Sequence, residues 1–71
     1  MKILVTGGCG YVGSVLVPRL LEKNNEVVVY DSMWFGNNLV DHKNLTIIKG
    51  DIRDYDNIPL DGVEVIIHLA N

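Results

Sequence analysis

The chain has a single cysteine, Cys9, so it can form no internal disulfide, and the cytoplasm is the default compartment. Its only histidines, His42 and His68, stand at no spacing that resembles a zinc site. Basic residues are few: six Lys and Arg face nine Asp and Glu, for a net charge of −3. With no basic run and no Lys/Arg stripe, nothing here suits a nucleic-acid backbone. No apolar run approaches the ~20 residues that span a bilayer, and the N-terminus lacks a signal peptide's apolar core. There is no repeat, linker or low-complexity tract. What remains is ordinary globular composition, 48% apolar and 21% charged, which argues against disorder. The 71 residues leave room for one small domain and not two.

Hydrophobic periodicity divides the chain into alternating elements. Residues 2–6 (KILVT) form a nearly continuous apolar run that stops at Gly7-Gly8, as a strand buried on both faces would. Over residues 11–23 the period changes. Val12, Leu16 and Leu20 recur at spacing four with Val15 beside them, which predicts a helix with that face inward, ended by Asn24-Asn25. Pro18 lies inside this helix and should bend it by removing the bond to the Ser14 carbonyl. Residues 26–31 (EVVVYD) are a second strand rich in β-branched side chains. A polar stretch follows, with a turn at Gly36-Asn37-Asn38 and room for a short helix near 39–42. Residues 45–49 (LTIIK) read as a third strand closed by Gly50. Residues 51–62 read as a loop with a helical turn near 54–58, and residues 63–70 (VEVIIHLA) as a fourth strand. Alternation of this kind predicts an α/β fold, a Rossmann-type parallel sheet with strand order 3-2-1-4. A buried strand followed at once by the last residue, Asn71, marks the chain as the first half of a longer protein.

The chemistry sits in Thr6-Gly7-Gly8-Cys9-Gly10-Tyr11-Val12-Gly13, between the first strand and the helix. Each spaced glycine has a physical task. Gly7 allows a tight exit from the strand, Gly10 leaves room for a pyrophosphate against the backbone, and Gly13 permits close helix–strand packing. The phosphates would meet the helix dipole and the free N–H groups of Tyr11 and Val12. No Gly-Lys-Ser/Thr follows, which excludes a nucleoside-triphosphate P-loop. Asp31 ends the second strand 18 residues after Gly13, where an acid accepting the adenosine ribose hydroxyls is expected. The cofactor these residues suit is NAD.

TGGCGYVGS, the strand-end Asp31, GDIRD and IIHLA together resemble the extended short-chain dehydrogenase/reductase superfamily. Within it the chain is most similar to the NAD-dependent epimerase/dehydratase family, which acts on nucleotide sugars. The resemblance runs from Met1 to Asn71. It implies that residues 1–71 are the N-terminal part of an NAD-binding Rossmann domain. For the whole protein it implies a nucleotide-sugar substrate, with a homodimer as one option. It implies further that Asp51 and the backbone of Ile52 hold the adenine, and that Leu69 and Ala70 line the cofactor. Family members often carry alanine at the place of Asn71, so no role is carried to that residue. From the residues alone, Asp51 reads better as a cap of the turn before Ile52. Arg53 and Asp54 read as a solvated loop salt bridge.

Other residues have plainer readings. Cys9 lies near a helix N-terminus, where a thiolate is stabilised, but a small residue in a crowded loop accounts for it. His68 reads as a neutral, hydrogen-bonded histidine at a strand end. Trp34-Phe35 would cover the adenosine edge, touch the remainder of the protein or pack beneath their loop. The redox chemistry of the family rests on Tyr-x-x-x-Lys. Four residues after Tyr11, Tyr30 and Tyr55 come Val15, Trp34 and Pro59, so that pair is absent and the chain alone is expected to be inactive. Two functions therefore stand open: the cofactor half of an epimerase or dehydratase, or a non-catalytic dinucleotide sensor or interaction module.

Overall fold

A computed structural model describes residues 1–32, 39 and 41–69. In chain order the elements are β1 (Lys2–Thr6), α1 (Tyr11–Glu22), β2 (Glu26–Asp31), β3 (Leu45–Lys49), a 3₁₀ turn at Tyr55–Asn57, and β4 (Val65–His68). The strands form one parallel sheet in the order β3-β2-β1-β4, as their apolar runs and the intervening helix predict. β1 and β2 lie inside the sheet, and their side chains are buried on both faces. β3 and β4 lie outside and are only partly covered.

Alternation along the strands builds two cores. On one face Ile3, Val5, Val27 and Val29 meet Cys9 and the α1 residues Val17 and Leu21. On the other, Leu4, Val28 and Tyr30 meet Ile48, Ile58 and Val63. The last two belong to the β3–β4 connection, which passes beneath β2 and β1 and covers that face without a helix. Burying Val17 and Leu21 is worth about 1.5–3 kcal/mol each, and it fixes α1 against the sheet.

The helix begins at Gly10, which caps it with no side-chain bond, and ends where Asn24 takes a left-handed conformation (φ 64°). Asn25 Nδ2 and the backbone N–H groups of Lys23 and Asn25 donate to the Leu20 carbonyl. Pro18 does not interrupt the helix. It lies on the exposed side, where water can serve the Ser14 carbonyl.

Three expectations require correction. The inward stripe of α1 is Gly13, Val17 and Leu21, one position on from Val12, Leu16 and Leu20. Val12 and Val15 are exposed, while Leu16 and Leu20 flank the contact. The cause is Gly13: only glycine allows the approach at the first turn, and spacing four from there selects the buried residues. Second, Leu39, Asp41 and His42 are not helical; Val40 and the turn at Gly36-Asn37-Asn38 lie outside the described residues. Third, β4 is limited to Val65–His68, because Val63 is drawn into the crossover's core.

Candidate functional site

Because the strands are parallel, the loops that follow them open at one edge. The register sets Thr6 beside Tyr30 and beside His68, and Asp31 beside Lys49. The chain leaving β1 goes to β2 on one side, and the chain leaving β3 goes to β4 on the other. A crevice therefore opens above the end of β1, the place where doubly wound sheets bind ligands. The described site candidates, from Gly7 through Leu69, converge on this edge.

The glycines of the first loop differ in what they do. Gly7 has φ 74°, a left-handed conformation, and its N–H donates to the Tyr30 carbonyl at 2.9 Å. A Cβ at Gly8 would meet the Val29 methyls at 2.9–3.0 Å and Val5 at 3.1 Å. A Cβ at Gly13 would stand 2.5 Å from Gly8 Cα and closer still to the Gly8 carbonyl. Gly13 thus packs against the loop, and it is Gly8 that packs against the strands. Gly10 alone is not required by the fold. Its φ of −80° suits any residue, and a Cβ there would touch only the Gly7 oxygen at an ordinary 3.6 Å. An open position at the mouth of a helix N-terminus, beside the first N–H groups of α1, is the cradle that a bound phosphate needs. The residues therefore fit a dinucleotide. The side chains of Tyr11 and Val12, the first two residues of α1, are exposed and do not pack on the core.

Asp31, half-buried at the end of β2, reaches back to the loop: its Oδ2 accepts the Cys9 N–H at 2.9 Å. Cys9 is fully buried, and burial, helped by the nearby Asp31 charge, pushes its thiol up to about 11. Here desolvation outweighs the helix dipole, and the thiol is a packing residue.

Beyond β3, Gly50 makes way for the Tyr30 ring, which a Cβ would overlap. Tyr30 Oη in turn donates to the Asp51 carbonyl at 3.3 Å, and the Gly50 N–H donates to the Asp31 carbonyl at 2.9 Å. These contacts place Asp51 and Ile52 next to Asp31 along the edge. The Asp51 carboxylate accepts the Arg53 N–H at 2.9 Å and the Arg53 guanidinium at 2.7–3.1 Å. The side-chain hydrogen bond from Arg53, then its backbone N–H, hold the Asp51 carboxyl at about 2. The loop ion pair is thus Asp51–Arg53 and not Arg53–Asp54; Asp54 accepts from Asn57 Nδ2 at 2.6 Å instead. After β4, the Leu69 N–H donates to the Thr6 carbonyl at 2.8 Å while the Leu69 side chain packs on the helix-side core. Ala70 and Trp34-Phe35 lie outside the described residues. His68 Nδ1 pairs with Thr6 Oγ1 at 2.6 Å, the hydrogen-bonded histidine that the sequence suggested. Among the described residues no cluster of His, Cys, Asp and Glu could hold a metal, and no helix is long and apolar enough to cross a membrane.

Sequence reasoning missed Gly8, Gly50 and Tyr30 as positioning residues. A doubled glycine at a strand end was the available signal for Gly8. The Tyr30–Gly50 contact joins neighbouring strands and leaves no local trace.

A model of the NAD dependent epimerase/dehydratase family matches residues 3–71. The chain belongs to that family. A UDP-glucose 4-epimerase of Corynebacterium glutamicum is 40% identical over 99% of the chain, which spans 22% of that protein. A 3-beta-hydroxysteroid dehydrogenase of Mycolicibacterium neoaurum is 38% identical over 97% of the chain and 19% of its own length. Among solved structures, the Bordetella bronchiseptica enzyme WbmH in complex with NAD+ has a TM-score of 0.87 at 35% identity, over 97% of this chain and 25% of that one. The chain thus spans about a fifth to a quarter of these family members.

Proposed function

We propose that this chain is the NAD-binding N-terminal part of a longer cytoplasmic enzyme that epimerises or dehydrates a nucleotide sugar by transient oxidation of a sugar hydroxyl. The observation that carries the reading is Gly10, the loop glycine that the fold itself does not need, at the open end of α1. In this reading the pyrophosphate lies against Gly10 and the N–H groups of Tyr11 and Val12. Gly7 and Gly13 shape the loop. Asp31 takes the adenosine ribose hydroxyls, Asp51 and Ile52 border the adenine, and Leu69 and Ala70 border the crevice towards the nicotinamide.

Held by these residues, NAD would supply a reversible hydride acceptor for the sugar carbon. The chain's own residues bind and orient the cofactor. None of its tyrosines is followed four residues later by lysine, so proton transfer falls to residues further along the protein. The family and the epimerase relative support a nucleotide sugar as substrate. That a steroid dehydrogenase matches the same span supports the reading of this region as the cofactor part, which enzymes with different substrates share.

The test is a pair of titrations of the full-length protein, NAD against NADP, repeated with Asp31→Ser. A 2′-phosphate beside Asp31 meets about 4 kcal/mol of repulsion per unit charge at ~4 Å and an effective dielectric of ~20. Screening reduces this, and about 1.4 kcal/mol already gives a tenfold preference. Residues 32–36 hold no basic side chain to offset it. NAD should bind at least tenfold tighter, with the gap narrowed by Asp31→Ser. Equal affinity in the wild type removes Asp31 as the ribose acid; binding of neither dinucleotide overturns the proposal.

A further inference from the structure

The Asp31 carboxylate touches the protein at a place that ribose recognition does not require. Its Oδ2 accepts the backbone N–H of Cys9, 22 residues earlier in the chain, at 2.9 Å. Cys9 has no exposed surface, so bulk water is poorly placed to replace that acceptor. The helix-side end of the loop is held more loosely than its strand-side end. Gly7 is anchored to the Tyr30 carbonyl at 2.9 Å, but the bond from Gly10 N–H to the Gly7 carbonyl is long, 3.4 Å. Gly10 also offers α1 no side-chain cap. The Asp31 carboxylate, from the end of the next strand, instead ties the loop at Cys9, one residue before the helix cap Gly10.

We infer that Asp31 is a positioning residue for the glycine loop, whose carboxylate holds the loop in its ligand-ready shape through the Cys9 amide before any ligand arrives. The inference deepens the proposed cofactor site and rests on it. A carboxylate has about four acceptor sites, so its bond to Cys9 does not by itself exclude ribose hydroxyls. Loop order and the choice between a plain and a phosphorylated ribose are then coupled through one side chain. Exchanging Asp31 to admit a phosphate also releases the loop that binds the pyrophosphate.

The full-length protein is compared with Asp31→Ala and Asp31→Asn by two readouts. The first is hydrogen exchange of the Cys9 amide without ligand, resolved by NMR. The second is affinity for NAD and for an NAD analogue whose adenosine ribose lacks both hydroxyls. Asn keeps an oxygen that can accept the Cys9 N–H. Exchange should be about tenfold faster in Asp31→Ala and within about threefold of wild type in Asp31→Asn. The analogue should bind Asp31→Ala about tenfold more weakly and Asp31→Asn nearly as well as wild type, while NAD weakens in both. Wild-type exchange and analogue affinity in Asp31→Ala overturn the inference, leaving Asp31 a ribose acceptor only. If Asp31→Ala does not fold, Asp31→Asn decides: loss of Cys9 protection in that variant overturns the acceptor geometry. A wild type that binds neither NAD nor the analogue overturns the proposed function, and the exchange comparison still decides the inference.

Discussion

Two substitutions at the start of α1 should fail in opposite ways. At Gly10 the backbone is extended and a Cβ has only an ordinary 3.6 Å contact with the Gly7 oxygen. Gly10→Val therefore costs the fold no more than about 1 kcal/mol, the scale of a weakened helix cap. Its isopropyl group occupies the mouth of the helix, so NAD affinity should fall at least about 100-fold, or about 2.7 kcal/mol. At Gly13 the new methyl collides with the backbone of Gly8, 2.5 Å from its Cα. Backbone cannot rotate aside as a side chain can, so the loop must retreat. Alanine recovers about 1 kcal/mol of helix propensity, while overpacking of this kind costs about 1–3 kcal/mol. With the obstruction at its firmest, Gly13→Ala should lose about 2 kcal/mol net and weaken NAD as well. Denaturant midpoints and NAD calorimetry on both variants of the full-length protein separate the cases. If Gly10→Val is as destabilised as Gly13→Ala, Gly10 is structural after all. If it binds NAD like the wild type, the pyrophosphate does not lie there.

Two predictions concern pH. Burial and the Asp31 charge raise the Cys9 thiol from 9.0 to about 11, so the native state prefers the protonated form. That contribution is complete below 9.0 and is lost as pH rises towards about 11; denaturation midpoints should fall across this window and stop doing so in Cys9→Ala. A slope that survives in Cys9→Ala assigns it to another group. Arg53 lowers the Asp51 carboxyl from 3.8 to about 2, so its contribution is present above 3.8 and is lost as pH falls towards about 2. In Arg53→Ala the Asp51 carboxyl, followed by NMR, should titrate near 3.8 again, and an unmoved midpoint refutes the pairing.

What could be read from the sequence follows the range of the forces involved. The strands were legible because β-branched runs such as Val27-Val28-Val29 carry burial on their face. The glycine loop was legible because strand, glycines and helix are contiguous. The helix stripe was misplaced by one residue, since Val12 and Val15 are as apolar as Val17. Tertiary contact at Gly13, not hydropathy, decides which of them faces inward. The partner of Arg53 was misassigned because an Asp two residues back satisfies both its backbone and its guanidinium, and adjacency in sequence does not show this. The Cys9–Asp31 and Tyr30–Gly50 contacts lie between segments about twenty residues apart, where only the closed sheet brings them together.

The strand order also sets how local the crevice is. Thr6 meets Tyr30 across 24 residues of chain but meets His68 across 62. Closing the longer loop costs about 0.8 kcal/mol more in chain entropy. The pairs β1–β2 and β2–β3 can form from the first 49 residues, and they supply the glycine loop, Asp31 and the helix. The far wall of the crevice waits for β4. The most non-local contact of the sheet thus closes the candidate ligand edge, which belongs to the slow, high-contact-order part of folding.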